Sequence, residues 1–238
     1  MTLYNRNVLI TGASRGLGMS LAKEYAKVGC NLFLVGRNTE KLNDLKNSMA
    51  KVYQNTEIET IVCDLSNIDS IMKMINEVKD CDIDVLVNCA GVFPVNKLSE
   101  TTIQEYQECI DINLTAPFVL TKELSKGMVK NKWGRIINIA SSSAYGGSPM
   151  TSVYCASKHA LLGLSRSLYK ELKGDNVRVI CVSPGSIKTE MGRKVEELGQ
   201  DFDTFMEPDE LAEYIVYSSS LDGNMISEEI RLNRVFVQ

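Results

Sequence analysis

The sequence predicts an α/β fold: a doubly wound parallel sheet of about seven strands with helices on both faces. Three observations predict it. Short β-branched runs alternate with longer amphipathic ones from one end to the other. The short runs are almost continuously apolar, as strands covered on both faces must be. No Pro/Gly/Ser-rich linker, repeat or low-complexity tract divides the chain, so residues 1–238 are expected to form one domain.

Strands are expected at Asn7–Thr11, Asn31–Val35, Glu59–Cys63, Asp84–Asn88, Arg135–Ala140 and Val177–Ser183, with a last one through Glu229–Val237. Helical stretches fall between them, at Gly18–Val28, Glu40–Tyr53, Ile68–Val78, Thr102–Lys130 and Ser152–Lys173. A further helix within residues 207–220 opens with Pro208 and acidic residues, both suited to a first turn. The longest interval without a strand starts at Pro184, and residues 184–208 are its candidate substrate loop.

Bulk properties narrow the function. A net charge of −4 and a pI near 5.3 argue against non-specific nucleic-acid binding. The N-terminus has no signal-peptide pattern, and no apolar run approaches the roughly 20 residues of a membrane helix. The chain is read as cytoplasmic, with no membrane partner. Its seven cysteines are irregularly spaced without a C-x-x-C pair, and His159 is the single histidine. No metal site is expected, and the thiols read as reduced, mostly buried small hydrophobes. Cys155 places one of them beside Tyr154.

Sites in such sheets form at the carboxyl ends of the strands. The first strand ends in T-G-A-S-R-G-L-G, residues 11–18. Gly12 allows the sharp turn, Gly16 clears space for a pyrophosphate at backbone N–H groups, and Gly18 lets the helix pack closely on the sheet. The bland alternative is a tight turn without a ligand. Where an acidic residue would accept from a ribose 2′-OH, the second strand ends Gly36-Arg37. Arg37 and Arg15 together point to a 2′-phosphate, hence NADP(H) rather than NAD(H). The third strand ends Cys63-Asp64-Leu65. Asp64 accepts from an adenine amino group or caps the next helix, with Leu65 packing near the ring. The fourth ends Asn88-Cys-Ala90-Gly91, small residues that leave room for ribose and nicotinamide.

Tyr154 and Lys158 are four apart in Y-C-A-S-K, one helical turn apart on one face. A phenol titrates near 10, too high for acid–base work at neutral pH, and a fixed ammonium nearby lowers that value. The pair thus suits proton transfer to a carbonyl or from an alcohol. Tyr and Lys at this spacing also occur on solvated helices.

Taken together, the chain resembles the short-chain dehydrogenase/reductase family in its single-domain form, and within it 3-oxoacyl-acyl-carrier-protein reductases. The resemblance rests on seven motifs in order: 11–18, C-D-L (63–65), N-C-A-G (88–91), I-N-L (112–114), G-R-I-I-N-I-A-S (134–141), Y-C-A-S-K (154–158) and P-G-S-I-K-T-E-M (184–191). It implies a Rossmann fold and an NADP(H)-dependent oxidoreductase that moves hydride between nicotinamide and a carbonyl or alcohol carbon. Tyr154 would be the acid/base, and Lys158 would tune it and hold the ribose. Ser141, 13 residues before the tyrosine, would polarise the carbonyl, with Ser142 and Ser143 as competitors. Asn113 would kink its helix and hold a water behind Lys158. Ser14 and Leu17 would join the glycine loop around the cofactor, Pro184 and Gly185 would wall the nicotinamide, and Ile187 and Thr189 would meet its carboxamide.

Two departures concern the substrate. The chain ends EEIRLNRVFVQ where many relatives carry a V-D-G-G-like segment, and the loop from Gly192 to Glu207 is short. Phe93 and residues 146–150 suggest an accessible, partly apolar entrance. His159 points away from the pair, as packing or surface. The resemblance also implies a homodimer or homotetramer, paired through the 102–130 helix and a face of the Tyr154 helix bearing Leu162, Ser165, Leu168 and Tyr169. The alternatives are an NAD-linked alcohol, sugar or steroid dehydrogenase, and a non-catalytic NADP(H) sensor on the same fold.

Overall fold

In the computed structural model, which describes residues 3–235, seven strands pair in parallel in the order β3-β2-β1-β4-β5-β6-β7. They are β1 (Asn7–Thr11), β2 (Asn31–Gly36), β3 (Ile58–Val62), β4 (Val85–Asn88), β5 (Gly134–Ile139), β6 (Val177–Pro184) and β7 (Glu229–Leu232). The helices are α1 (Gly16–Lys27), α2 (Thr39–Ala50), α3 (Ile68–Glu77), α4 (Ile103–Ile110), α5 (Ala116–Lys130), α6 (Ser152–Leu172), α7 (Glu190–Glu196) and α8 (Pro208–Ser220).

Alternation along the strands sorts the core into two layers. Val8 and Ile10 of β1 face the layer built by Leu17, Leu21 and Tyr25 of α1 and Leu211, Ala212 and Ile215 of α8. Leu9 between them faces the other layer, with Ile71 and Met74 of α3 and Leu120, Leu124 and Met128 of α5. The doubly wound sheet is therefore written into the strands themselves: both parities are apolar. The order reverses between β1 and β4, where consecutive crossovers leave in opposite directions and open a crevice at the carboxyl edge.

Three expectations are revised. The helical stretch expected at Thr102–Lys130, with a kink at Asn113, divides there into α4 and α5, separated by a π-helical segment, Asp111–Thr115. Pro117 has no N–H with which to bond the Asn113 carbonyl in α-helical register. The Asn113 side chain also holds the Val92 backbone, accepting from its N–H at 2.9 Å and donating to its carbonyl at 3.0 Å. The last strand stops at Leu232, whose register partner Pro184 ends β6. Residues 233–235 are not strand, and Phe236 and Val237 lie outside the described residues. Finally, Leu162 and Ser165 face inward. Leu162 packs with Ala140, Ala144, Leu161 and Cys181, and the Ser165 hydroxyl accepts from Asn138 Nδ2 at 2.9 Å. Leu168 and Tyr169 are half-buried.

Candidate active site

A cleft of about 770 Å³ lies along the carboxyl ends of the strands on both sides of the order reversal. Its first half is the glycine loop. Thr11 ends β1 and ties this loop to the end of β4: its Oγ1 accepts from the N–H groups of Cys89 (3.0 Å) and Ala90 (3.1 Å). Gly12 and Gly16 both have left-handed backbones, φ +69° and +53°, which a side chain would strain. A Cβ on Gly12 would lie 2.8 Å from Ala90 Cα, and one on Gly18 would collide with the Gly12 carbonyl. Gly12 and Gly18 thus hold the loop, α1 and the residues after β4 at closer range than any other residue allows. Helix α1 starts from this loop without a side-chain cap on its first turn, leaving orphan N–H groups. Helices α2, α3, α4 and α7 are capped by Asn38, Asn67, Thr102 and Thr189.

That uncapped N-terminus, in a cradle a Cβ would fill, suits a pyrophosphate. Ser14, Arg15, Gly16 and Leu17 line the cleft, as do Leu65, Ala90 and Gly91. At the end of β2, Gly36 and Arg37 line it together with Asn38 and Lys41, two residues the sequence reading did not single out. Lys41 follows directly from the chain: it lies in the first turn of α2, two residues after Thr39.

Two residues expected at the cofactor lie outside the lining. Asp64 is exposed, between Cys63 and Leu65 of the lining, and does not cap α3. Its Oδ1 accepts from the N–H (3.0 Å) and hydroxyl (2.8 Å) of Ser66, while Asn67 caps the helix. Those two bonds, with nearby Arg37, pull its pKa below the ordinary carboxylate value. Asn88 is buried, and its Nδ2 donates to Asn138 Oδ1 at 2.8 Å, joining β4 to β5 across the sheet. The Asn88 side chain thus links two strands, and the Asp64 carboxylate orders the turn after β3.

The second half gathers Ser141–Ser143, Tyr154 and Lys158, with Pro184, Gly185, Ile187 and Thr189 on its far wall. Ser141 leaves β5 and caps a short 3₁₀ turn, accepting from Ser143 N–H at 3.1 Å. Tyr154 and Lys158 lie one turn apart on the buried face of α6. The Lys158 ammonium donates to the Ile139 carbonyl at 2.8 Å and lies 5.6 Å from the Tyr154 ring centroid. Asn113 is buried behind them, outside the lining. Its Nδ2 donates to Ser157 Oγ at 3.0 Å, and that hydroxyl bonds the Tyr154 carbonyl at 2.7 Å. The asparagine therefore anchors α6 through Ser157, a link no motif flagged. A Cβ on Gly91 would meet both Asn113 Oδ1 (3.3 Å) and Lys158 Nζ (3.7 Å).

The protonation of the pair differs from the expectation. Burial pushes the Tyr154 phenol up to about 12, opposed by a hydrogen bond with Ser141. Burial pulls the Lys158 ammonium down to about 8. Desolvation disfavours both charged forms and outweighs the tuning that the spacing alone suggests. Phe93 is also unlike the expectation. It is 8% exposed and meets the Tyr154 ring edge-on, centroids 4.6 Å apart, so the entrance is covered at this point. Lys194 of α7 donates to the Phe93 carbonyl at 3.2 Å. Cys155 is buried with its sulfur 3.3 Å from Thr151 Oγ1, and His159 is exposed, its Nδ1 2.8 Å from the Cys155 carbonyl.

A parallel sheet with a glycine cradle at its order reversal, and a Tyr-x-x-x-Lys helix facing the same cleft, defines a Rossmann-fold oxidoreductase. Comparison with known proteins gives the family. Residues 6–198 match the short chain dehydrogenase family. The chain is 34% identical over 232 residues to the 3-oxoacyl-(acyl-carrier-protein) reductase FabG of Rickettsia prowazekii (strain Madrid E), covering 94% of this chain and 93% of that one. A metagenomic short-chain oxidoreductase solved in complex with NADP superposes with a TM-score of 0.86 at 30% identity, covering 100% of both chains. A 4-hydroxyisoleucine dehydrogenase complexed with NADH superposes with a TM-score of 0.84 at 27% identity, covering 97% of both. The chain belongs to the short-chain dehydrogenase/reductase family and is an oxidoreductase of that family. No helix among the described residues is long and apolar enough to cross a membrane.

Proposed function

We propose that the protein is an NADP(H)-dependent carbonyl reductase of the 3-oxoacyl-reductase kind. The observation that carries this reading is the meeting of Ser141, Tyr154 and Lys158 in the cleft that the glycine loop also lines. A bound dihydronicotinamide supplies the hydride; the chain supplies position, polarisation and a proton. The Ser141 hydroxyl orients the substrate oxygen and stabilises charge developing on it. Tyr154 gives that oxygen its proton. A phenol held near 12 is fully protonated at neutral pH, which suits the donor role and hence reduction. Lys158, still largely cationic at pH 7, stabilises the phenolate left behind and grips the ribose hydroxyls. Asn113 fixes the helix that carries both.

Arg37, Arg15 and Lys41 supply the positive charge for a 2′-phosphate. A second reading, an NAD-linked dehydrogenase, is favoured by one observation: Arg15 and Arg37 each already face a carboxylate. Rates with the two cofactors separate the readings. For assembly, we propose a homodimer or homotetramer. The exposed apolar side chains Ile103, Tyr106 and Phe118 on α4 and α5 favour that pairing face.

The central test is Tyr154→Phe assayed with NADPH over a panel of ketones, aldehydes and 3-oxoacyl thioesters. Removing the proton donor should lower kcat by roughly 100-fold or more. Near-normal turnover would refute the assignment.

A further inference from the structure

The guanidinium that the glycine loop offers to a phosphate is already engaged. Arg15 Nη1 donates to Glu190 Oε2. Arg15 precedes the first residue of α1, and Glu190 is the first residue of α7. One ion pair therefore ties the cofactor loop to the substrate loop across the mouth of the cleft that both residues line. The neighbouring residues reinforce the closure: a Cβ on Gly16 would lie 3.1 Å from Thr189 Cγ2. The other arginine is only loosely matched, with Arg37 Nη1 4.0 Å from Glu108 Oε1.

We propose that Glu190 is a cofactor-selectivity residue: by holding Arg15 it weakens binding of a 2′-phosphorylated adenosine relative to the unphosphorylated one. This rests on Arg15 as a phosphate ligand, the reading given above. A 2′-phosphate is a doubly charged acceptor that gains most from a free guanidinium. With Glu190 in place, Arg15 must leave its carboxylate or share itself between two like charges. A ribose 2′-hydroxyl is neutral and makes no such demand, so the penalty falls on the phosphorylated cofactor alone. Both members of the pair are exposed, with 59% and 64% of their side chains accessible. Exposed ion pairs are weak, so the effect amounts to roughly a two- to fivefold change in affinity. The carboxylate sits on the substrate loop, so any shift of that loop also changes how tightly Arg15 is held. Cofactor preference and substrate-loop position are thereby coupled through a single contact.

The test uses 2′-phospho-ADP-ribose and ADP-ribose, which lack the nicotinamide, so that binding is read without turnover. Titration calorimetry is run on wild type, Glu190→Gln, Arg15→Gln and the double variant, with melting curves confirming that each is folded. Glu190→Gln should tighten the phosphorylated ligand roughly two- to fivefold and leave ADP-ribose unchanged. The gain should vanish in the Arg15→Gln background. It should also shrink at about 1 M salt, where the Debye length falls to about 3 Å. Equal tightening of both ligands, no tightening, or a gain that persists without Arg15 would each overturn the proposal. Wild-type protein that bound neither ligand would instead remove the cofactor reading itself, and this proposal with it.

Discussion

Replacing Lys158 with methionine should change how stability depends on pH, and the burial of its ammonium sets the direction. Lys158 is 4% exposed and its ammonium has the Ile139 carbonyl, at 2.8 Å, as a hydrogen-bond acceptor. Burial lowers its pKa from 10.5 to about 8. Between these values the unfolded chain holds a proton that the folded chain has released. Stability from this group therefore rises with pH across that window, and below it the folded state carries the full penalty of a buried charge. A fall from 10.5 to about 8 corresponds to roughly 3 kcal/mol at about 1.4 kcal/mol per unit. Lys158→Met keeps the apolar stem and removes the titration. Urea unfolding of both proteins without cofactor, from pH 7 to pH 10, isolates the effect in the difference between them. Tyr154 and the buried thiols titrate with the opposite sign, but in both proteins, and largely cancel. The wild type should gain on the variant by roughly 2–3 kcal/mol over this range. A flat difference, or one that declines as pH rises, would refute a charge-burial penalty at Lys158.

Three further outcomes follow from the geometry. Arg37→Asp puts a carboxylate where a phosphate is expected and beside Asp64, so the Kd for NADPH should rise roughly 10- to 100-fold while that for NADH moves little; an unchanged ratio in fluorescence titrations would remove Arg37 from the phosphate site. Phe93→Ala uncovers the Tyr154 ring; it should cost about 3 kcal/mol in unfolding free energy and raise kcat/KM for bulky ketones relative to small ones, and an unaltered size preference across a ketone panel would show that Phe93 does not limit access. Gly18→Ala drives a methyl group into the Gly12 carbonyl, so Tm should fall and dinucleotide binding weaken together, at about 1–3 kcal/mol; a fully stable variant with normal binding would mean the loop is not held by that contact.

The sheet was legible because each strand carries its evidence locally. In β1 and β4 both parities are apolar, which only burial on two faces explains. Boundaries agreed to within a residue or two wherever a glycine or a cap punctuates the chain, as at Gly36 and Asn67. Legibility failed where the determining contact is distant in sequence. Nothing near residue 113 announces that its side chain will hold the Val92 backbone, so the resemblance supplies the kink at Asn113 but not the contact that goes with it. Pro117 was the available signal: a proline four residues after Asn113 removes the one N–H that would keep that carbonyl in α-helical register. The inward face of α6 was misjudged for a related reason. Leu162 is buried against β5 and β6, and a helix packed on a sheet on one side and on other helices on the next has no clean polar stripe.

The same limit applies, with greater consequence, to the Tyr154–Lys158 pair. Spacing establishes that the two side chains share a face, and from that a pKa-lowering ammonium follows naturally. Spacing does not reveal what the face is buried against. Phe93 and the end of β5 surround the pair so fully that desolvation raises the phenol and lowers the ammonium. The two shifts reverse the groups' usual order and widen the gap between them, the phenol rising to about 12 and the ammonium falling to about 8: the acid becomes reluctant to ionise and the cation readier to lose its charge. Such a pair favours the neutral phenol until a new charge or dipole enters the cleft. On the proposed reading, electrostatic tuning of Tyr154 therefore depends on the charge or dipole that binds beside it.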